Sequence, residues 1–270
     1  MEASDTAFSG SIPALYDRCL GPLLFEPYAR DLAERVAAIA PRRILETAAG
    51  TGIVTAAIVR EVPDAEIVAT DLNEAMLAVA AERVRSPAVT FRQADAQELP
   101  FADGSFDLVV AQFGAMFFPD RVRAYREARR VLKRGALFLF NVWDRLEANP
   151  ASAAAAAAVA GLFPDDPPSF LSRVPFGYSD PLRIEKDLHA AGFDEVVIET
   201  VAARSRAGDP AGAAIGLCMG SPLRAEIEAR DPARLQEAAE AAATALRGLA
   251  GADGTLDVPM SALIVSARNV

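Results

Sequence analysis

The sequence is poor in cysteine and histidine, and it has no surplus of basic residues. Its two cysteines, Cys19 and Cys218, are far apart and fit no metal-binding or redox spacing, so neither a disulfide framework nor a metal site is expected. With 27 basic and 37 acidic residues, the formal net charge is −10. This balance argues against nucleic acid and other partners bound by neutralising phosphates. One basic run, 121–134, has three- and four-residue spacings that favour a solvated helix face over a binding patch.

Targeting segments and long apolar runs are also lacking. Residues 1–5 are acidic and no long apolar run follows them, so no signal peptide is expected. The alanine-rich stretch 151–159 is too short to span a bilayer. These absences predict a cytoplasmic protein with no membrane span. The chain has 270 residues, 52% of them hydrophobic, which suffices for one large domain or a core with a cap.

The most informative stretch that is present runs from Arg43 to Gly52. An apolar segment there breaks at Gly50-Thr51-Gly52 and resumes at once as an apolar, helix-like segment. This pattern is typical of the first strand–loop–helix turn of a doubly wound sheet, where ligands bind. Glycine allows the backbone to adopt positive φ and lets a ligand approach it closely.

Strand-like and helix-like segments then alternate, which predicts an α/β fold with right-handed crossovers and a parallel sheet. Predicted strands lie at 44–47, 65–70, 89–93, 106–112, 136–142, 195–201 and 259–266, and predicted helices at 27–40, 52–61, 74–85, 122–132 and 182–191, with two or three more in 208–251. Before residue 27, a helix start at Ser11 is followed by Gly21-Pro22 and Pro27, which predict short, interrupted pieces.

These segments suggest three parts. Residues 1–41 are predicted to form an N-terminal helical lid. Residues 42–204 and 253–270 are predicted to form the α/β core, with an insertion at 144–180. Residues 205–252 are predicted to form a helical cap insertion.

Two kinds of cofactor fit the glycine-rich turn. A nicotinamide dinucleotide would favour G-x-G-x-x-G, but Thr55 stands at the third glycine position. S-adenosylmethionine carries no phosphate; it requires an acidic residue before the loop, exposed backbone in the loop, and a carboxylate for its ribose hydroxyls.

Further motifs distinguish these two cofactors. The segment 46–52 (Glu-Thr-Ala-Ala-Gly-Thr-Gly) resembles the E/D-x-G-x-G-x-G motif of class I S-adenosylmethionine-dependent methyltransferases of the ubiquinone/menaquinone-biosynthesis type, with Ala48 in place of the first glycine. Segments 68–73, 93–101, 106–113 and 130–135 resemble later motifs of this family, in the same order. The resemblance covers residues 42–143 and implies a Rossmann-like, doubly wound, seven-stranded and mostly parallel sheet with helical cap insertions. An alanine at 48 fits only if its φ is negative.

The resemblance also implies roles for individual residues. Glu46 would face the methionine part of the cofactor, Asp71 would hold both ribose hydroxyls, and Asp95 would meet the adenine amino group. The alternatives are that Asp71 caps the next helix and that Asp95 is a surface turn residue. The full predicted cofactor-binding set is Glu46, Ala48, Gly50, Gly52, Asp71, Leu72, Met76, Asp95, Ala96 and Gln112.

The implied reaction is methyl transfer by in-line displacement to a small organic acceptor, which requires mainly proximity and alignment. The single histidine, His189, falls at the end of a helix away from the predicted site, so no histidine base is expected. Catalytic candidates are Tyr16, Gln112 and Trp143, and the predicted substrate pocket comprises Tyr16, Phe25, Phe113, Met116, Phe117 and Trp143.

Two other functions remain open, since one fold hosts many activities. These are a nucleotide-dependent oxidoreductase of the NAD(P) type and a ligand-binding module without catalysis. The sequence does not identify the acceptor or the methylated atom, and it leaves the oligomeric state open, a homodimer included.

Overall fold

The computed structural model describes residue 5, residue 10 and residues 12–270. Seven strands form one sheet in the order β3-β2-β1-β4-β5-β7-β6. The strands are β1 (Arg43–Thr47), β2 (Glu66–Asp71), β3 (Val89–Gln93), β4 (Phe106–Gln112), β5 (Leu132–Trp143), β6 (Glu195–Ala207) and β7 (Leu256–Arg268). The pairs β1–β2, β1–β4, β2–β3 and β4–β5 are parallel, whereas β5 and β7 are antiparallel. The predicted seven-stranded, mostly parallel, doubly wound α/β sheet is confirmed.

Helices precede and connect these strands. They are α1 (Ile12–Leu15), a π-helix (Tyr16–Phe25), α2 (Glu26–Ile39), α3 (Ile53–Glu61), α4 (Glu74–Arg83), α5 (Arg121–Val131), α6 (Pro150–Leu162), α7 (Phe170–Arg173), α8 (Pro181–Ala190), α9 (Pro210–Met219), α10 (Leu223–Arg230) and α11 (Leu235–Arg247). Of these, α6 and α7, in the 144–180 segment, were not predicted as helices. No helix in the described part of the chain is both long enough and apolar enough to cross a membrane.

The central strands β1 and β4 are almost wholly buried, which explains their continuous apolar sequences. Their register pairs Leu45 with Val109, and β1 in turn pairs Thr47 with Thr70 of β2. The carboxyl ends of β1, β2 and β4 therefore lie side by side. Residues that follow these three strands meet at one edge of the sheet, where open α/β sheets bind ligands.

The prediction of short, interrupted helical pieces before residue 27 is wrong. Helical backbone runs through α1, the π-helix and α2, from Ile12 to Ile39, and Pro22 lies inside the π-helix. Pro22 removes one intrahelical donor, but it does not end the helical backbone. Pro27 is the second residue of α2, and the helical backbone continues through it. Ser11, the predicted helix start, lies outside the described residues.

The last three strands are longer than predicted. Leu132 was predicted to end a helix and residues 133–135 to lie outside the strand, but β5 begins at Leu132, which pairs with Phe106 before the register shifts at Leu108. This irregularity inserts extra residues into β5, and Gly135 has a positive φ of 80° there. The strands β6 and β7 each run for 13 residues.

The chain forms two compact units. The sheet unit comprises Tyr28–Trp143, Tyr178–Val201 and Ala262–Val270. The helical unit comprises Met1–Pro27, Asp144–Gly177 and Ala202–Ser261.

In the helical unit, α9 packs closely on the π-helix. A Cβ atom on Gly216 of α9 would lie 2.7 Å from Cβ of Cys19, so no larger residue fits there. The guanidinium of Arg173 donates to both carboxylate oxygens of Asp5 at 2.7 Å and to Glu226 at 2.7 Å. These contacts tie the N-terminal region to the 144–177 segment within this unit.

Candidate functional site

The loop of residues 48–52, here called the glycine loop, connects β1 to α3 in the sheet unit. Gly50 and Gly52 have positive φ angles of 56° and 74°, which glycine adopts without steric cost. A Cβ atom on Gly52 would lie 2.9 Å from Cβ of Ala80 in α4, so this glycine also allows α4 to approach. The loop therefore lies at the carboxyl edge of the sheet, where Gly50 is half-buried and Gly52 is buried, and its contact with a cofactor stays a prediction.

Glu46 lies at the end of β1 and is only 1% exposed. Its carboxylate accepts a hydrogen bond of 2.6 Å from the hydroxyl of Thr55, a residue that is itself fully buried. The pKa of Glu46 is raised to about 8, chiefly by burial; the hydrogen bond from Thr55 lowers it and the nearby charge of Asp71 raises it. Below pH 8 this side chain is therefore a neutral acid unless a cation binds beside it.

Thr55 is a site residue that the sequence analysis treated only as a departure from the dinucleotide motif. The threonine at this position is itself the sequence signal for its role, because a glycine has no hydroxyl to donate to the Glu46 carboxylate.

Asp71, the last residue of β2, accepts two backbone hydrogen bonds. Its Oδ2 accepts from the amide of Gly50 at 2.8 Å and its Oδ1 accepts from the amide of Asn73 at 2.8 Å. The N-cap of α4 is Asn73, whose side chain accepts from Ala75, so Asp71 is not the cap of that helix. Burial raises the pKa of Asp71, and the backbone hydrogen bonds oppose this. Each carboxylate oxygen is thus fixed in place and keeps a lone pair for a further donor.

Ala48 departs from expectation, because its φ is +53° rather than negative. The alanine holds the left-handed conformation that the motif's glycine would hold, at a cost of roughly 1–2 kcal/mol for an L-residue. Its methyl group also needs space: a Cβ atom on Gly114, after β4, would lie 2.5 Å from Cβ of Ala48. The missing glycine of the motif is compensated by a glycine at position 114, on the neighbouring strand end.

This compensation predicts an energetic coupling between positions 48 and 114. The φ of Gly114 is −101°, which alanine tolerates, so Gly114→Ala should act only through the clash with Ala48. We expect Gly114→Ala to lower the free energy of unfolding by about 2 kcal/mol, the typical cost of overpacking.

In the Ala48→Gly background the same substitution should cost less than about 0.5 kcal/mol, because the methyl group it meets is gone. Urea denaturation of the four proteins of this double-mutant cycle measures the coupling. Equal costs in both backgrounds would contradict it.

The remaining predicted cofactor residues surround the glycine loop. Met76 of α4 is 4% exposed and its Cε would lie 3.7 Å from a Cβ atom on Gly50. Leu72 is 57% exposed beside the end of β2. Asp95 accepts from the backbone amide of Gln97 at 2.8 Å, which is the turn geometry of the alternative interpretation, and Ala96 lies within this turn. Contacts of these residues with a cofactor stay a prediction.

A group of aromatic rings follows β4 and β5 in the sheet unit. Phe113 stacks on Trp143 with 3.9 Å between ring centroids, and Tyr28 packs edge-on against both rings. Phe113 has a positive φ of 49°, held by hydrogen bonds from its amide to the backbone and side-chain oxygens of Asn141. A bulky residue in this conformation marks a strained, firmly held position next to Gln112 and Gly114.

The other acceptor-pocket residues are less closely grouped. Met116 is 1% exposed and Phe117 is half-buried in the short helix that follows β4. Tyr16 and Phe25 stack at 4.8 Å in the helical unit, so they belong to a different compact unit from Phe113 and Trp143. The predicted pocket of these residues stays a prediction.

His189 is exposed at the end of α8, and its Nδ1 lies 2.7 Å from the carbonyl oxygen of Phe193. Among residues 5, 10 and 12–270 there is no group of three or more histidine, cysteine, aspartate or glutamate side chains that could hold a metal ion.

Comparisons with known proteins agree with this geometry. Residues 45–140 match the family model described as a methyltransferase domain. A demethylmenaquinone methyltransferase from Thermotoga maritima is 37% identical over 120 residues, which are 44% of this chain and 52% of that protein. The ubiquinone/menaquinone biosynthesis C-methyltransferase UbiE from Idiomarina loihiensis is 40% identical over 102 residues, 36% of this chain and 41% of that protein. The chain thus spans about half the length, or less, of these curated relatives.

A solved structure shares the fold over nearly the whole chain. It is phosphoethanolamine N-methyltransferase 2 from Haemonchus contortus, in complex with phosphomonomethylethanolamine and S-adenosylhomocysteine. The TM-score is 0.61 at 17% identity, covering 98% of this chain and 59% of that chain, which shows likeness of fold alone. The matched segment 45–140 contains the carboxyl end of β1, the glycine loop, Asp71 and Asp95. Over this segment the chain is similar to methyltransferases of the ubiquinone/menaquinone-biosynthesis group.

Proposed function

We propose that this chain binds S-adenosylmethionine at the glycine loop and that its methyl group is transferred to a small organic acceptor. The observation that carries the proposal is the placement of two carboxylates, Glu46 and Asp71, on either side of the glycine loop. The matching methyltransferase domain model and the quinone-methyltransferase relatives support the same function.

The geometry of Asp71 suits a ribose. Both of its carboxylate oxygens are fixed by the backbone amides of Gly50 and Asn73, with lone pairs left over. A carboxylate can accept from two vicinal hydroxyls at once, and such charge-assisted hydrogen bonds are stronger than neutral ones. A rigid carboxylate also loses little conformational freedom when it binds.

The environment of Glu46 suits a cation. A buried carboxylate without a positive partner is costly, and its raised pKa of about 8 reflects that cost. The ammonium or sulfonium group of S-adenosylmethionine would supply the missing charge. The pyrophosphate of a dinucleotide would instead place two further negative charges beside Glu46 and Asp71, so the oxidoreductase alternative is disfavoured.

When bound, S-adenosylmethionine supplies a sulfonium methyl group that is already activated for displacement. The work left to the protein is to hold the acceptor in line with that methyl group and to exclude water. Gln112 and Phe113, at the end of β4, are placed beside the glycine loop by the contact of Gly114 with Ala48. The backbone amide of Phe113 donates to the side chain of Asn141, which fixes the segment that follows β4 beside the glycine loop.

An aromatic acceptor fits the chemistry of this edge best. The relatives are named as a demethylmenaquinone methyltransferase and a ubiquinone/menaquinone biosynthesis C-methyltransferase. The candidate acceptor residues of the sheet unit, Phe113, Met116, Phe117 and Trp143, provide aromatic and thioether surfaces. Tyr16, Phe25, Gln112 and Trp143 are the residues whose substitution would test acceptor binding and catalysis.

Substitution of Asp71 by asparagine tests the cofactor proposal. The wild-type protein should bind S-adenosylhomocysteine in isothermal titration calorimetry, and Asp71→Asn should weaken binding about 30-fold or more. This corresponds to the loss of one to two charge-assisted hydrogen bonds of roughly 1.5–3 kcal/mol each.

Asp64→Asn is the matched control, because Asp64 is exposed and carries the same charge outside the site. It should leave the affinity unchanged. Failure of the wild-type protein to bind, or equal affinity of Asp71→Asn and wild type, would refute the proposal. Binding of NADH but not of S-adenosylhomocysteine would favour the oxidoreductase, and binding without methyl transfer to any aromatic acceptor tested would favour a binding module.

A further inference from the structure

A basic cavity lies in the sheet unit, away from the glycine loop. Its volume is about 670 Å³, and it is formed by the ends of α5 and α8, the loop before β4 and the residue after β7. Its charged lining consists of Arg126, Arg129, Arg130, Arg134, His189 and Asp103. Four arginines around one cavity are unexpected in a chain whose net charge is −10.

The cavity is at the opposite edge of the sheet from the glycine loop. It is lined by Leu132 and Arg134, at the amino end of β5, and by Asn269, whose backbone bonds to Ala136 and Gly135. The glycine loop follows the carboxyl ends of β1 and β2. Parallel strands place these ends on opposite edges, so a ligand of this cavity would not compete with the cofactor.

Part of the basic charge is already neutralised. Arg130 donates to Glu127 through two nitrogens at 2.7 Å and to Asp103 at 2.7 Å. His189 lies 3.7 Å from Glu185. Among the residues that the structure describes, Arg126, Arg129 and Arg134 make no ion pair, so the cavity holds three uncompensated positive charges.

Helix ends explain only one of these three arginines. Positive side chains often stabilise the carboxyl ends of helices, and Arg126 does so by donating to the carbonyl of Ala190 in α8. Arg129 and Arg134 make no such side-chain bond in the described residues, and Nε of Arg129 is buried without a partner. Stabilisation of a helix end therefore does not explain the side chains of Arg129 and Arg134, whose N–H donors make no hydrogen bond in the described part of the chain.

Arg129 is also held in position. Gly192 has a φ of +96°, and a Cβ atom there would lie 3.2 Å from Nε and 3.4 Å from Cζ of Arg129. The absence of a side chain at 192 allows the guanidinium to lie against the backbone. A preorganised guanidinium loses less freedom on binding than one that extends into solvent.

We propose that this cavity is a binding site for an oxyanion, namely a phosphate group carried by a small molecule or by a lipid headgroup. Guanidinium groups present parallel N–H donors that match the oxygens of a phosphate, and the three uncompensated ones line one open cavity, where they can contact one phosphate or pyrophosphate. Because the net charge of the chain is −10, the positive charge is confined to this cavity. The cavity therefore does not predict general binding of nucleic acid. The proposal stands independently of the cofactor proposal.

Titration of the 270-residue chain with inorganic pyrophosphate at low ionic strength tests the site directly. The wild-type protein should bind with a dissociation constant of about 1 mM or tighter. The double variant Arg129→Gln/Arg134→Gln should bind at least about tenfold more weakly, because two of the three free charges are lost. Arg60→Gln/Arg85→Gln is the matched control: both residues are exposed on the sheet unit, and it removes the same charge elsewhere.

Flotation with vesicles distinguishes the two sources of phosphate. Binding to phosphatidylglycerol vesicles but not to phosphatidylcholine vesicles, lost in Arg129→Gln/Arg134→Gln only, would identify a headgroup as the ligand. Pyrophosphate binding without vesicle binding would identify a soluble phosphate compound. If neither probe binds, or if both double variants weaken binding equally, the site does not exist. Circular dichroism of each variant verifies folding.

Discussion

Replacing Glu46 by glutamine is expected to remove a loss of stability that the wild-type protein shows as the pH rises from about 5 to 8. The Glu46 side chain is buried beside the glycine loop, and burial raises its pKa from 4.5 to about 8. In the unfolded chain the same carboxyl has an ordinary pKa. Between these two values the folded protein holds a proton that the unfolded chain has released.

The direction follows from proton linkage. Because the folded state binds more protons than the unfolded state in this window, the free energy of unfolding falls as the pH rises. The contribution is fully present below about pH 4.5 and is lost by about pH 8. A shift of this size corresponds to a loss on the order of 5 kcal/mol, since one pKa unit is about 1.4 kcal/mol.

Glutamine resembles the protonated acid, since it is neutral, similar in size and retains an oxygen that can accept from Thr55. Glu46→Gln should therefore be close to wild type in stability near pH 5 and clearly more stable at pH 8.5. Urea denaturation at both pH values measures this difference. Glu61→Gln, an exposed residue at the end of α3, should show no such change. A parallel pH dependence of Glu46→Gln and wild type would contradict the buried acid.

The same group links cofactor binding to protons. Binding of S-adenosylmethionine near Glu46 should stabilise the carboxylate and lower its pKa, so a proton should leave the protein at pH 6.5. Calorimetry in buffers of different ionisation enthalpy detects this proton. In Glu46→Gln the dependence on buffer should vanish, and the affinity should fall because the counter-charge is lost.

Gly52→Ala should be the most destabilising single substitution in the glycine loop. Position 52 has a φ of +74°, and a Cβ atom there would lie 2.9 Å from Cβ and 3.1 Å from Cα of Ala80. Backbone strain of roughly 1–2 kcal/mol adds to an overpacking cost of about 1–3 kcal/mol. We expect a total loss of about 3 kcal/mol in the free energy of unfolding, together with weaker cofactor binding as α4 moves.

Gly104→Ala separates the two terms. Gly104 has a similar φ of +63°, but nothing lies within 4 Å of a Cβ atom there, so its substitution measures backbone strain alone. We expect a loss of about 1 kcal/mol for this control in urea denaturation. If the contact with Ala80 is tight, Ala80→Gly should restore part of the stability lost in Gly52→Ala. If Gly52→Ala costs no more than Gly104→Ala, and Ala80→Gly restores no stability, the contact is not tight.

Local sequence patterns predicted most of the sheet, because buried parallel strands are continuous apolar runs bounded by glycines and acidic residues. The bounds of β3 and β4 agree with prediction to the residue. The position of Asp71 at the end of β2 also followed directly from the strand pattern. These features depend on neighbours in sequence or on the regular alternation of strands and helices.

Features that depend on distant residues were not predictable in this way. The positive φ of Ala48 is tolerated because Gly114, 66 positions along the chain, leaves space for the methyl group. The role of Thr55 depends on its approach to Glu46 in the folded state. The N-terminal helix continues past Pro22 as a π-helix, which no local propensity indicates. Similarly, the arginines of α5 form a cavity only when α8 packs beside them.

The position of β7 in the sheet has a consequence for how the chain folds during synthesis. This strand lies between β5 and β6, yet it is made after both of them. While a ribosome elongates the chain, β1 to β5 can pair as soon as they emerge, but β6 has no neighbour until β7 follows. About 50 residues separate the end of β6 from the start of β7. During that interval the nascent protein exposes the unpaired edge of β5, which makes this edge the point at which chaperones or misassembly would act.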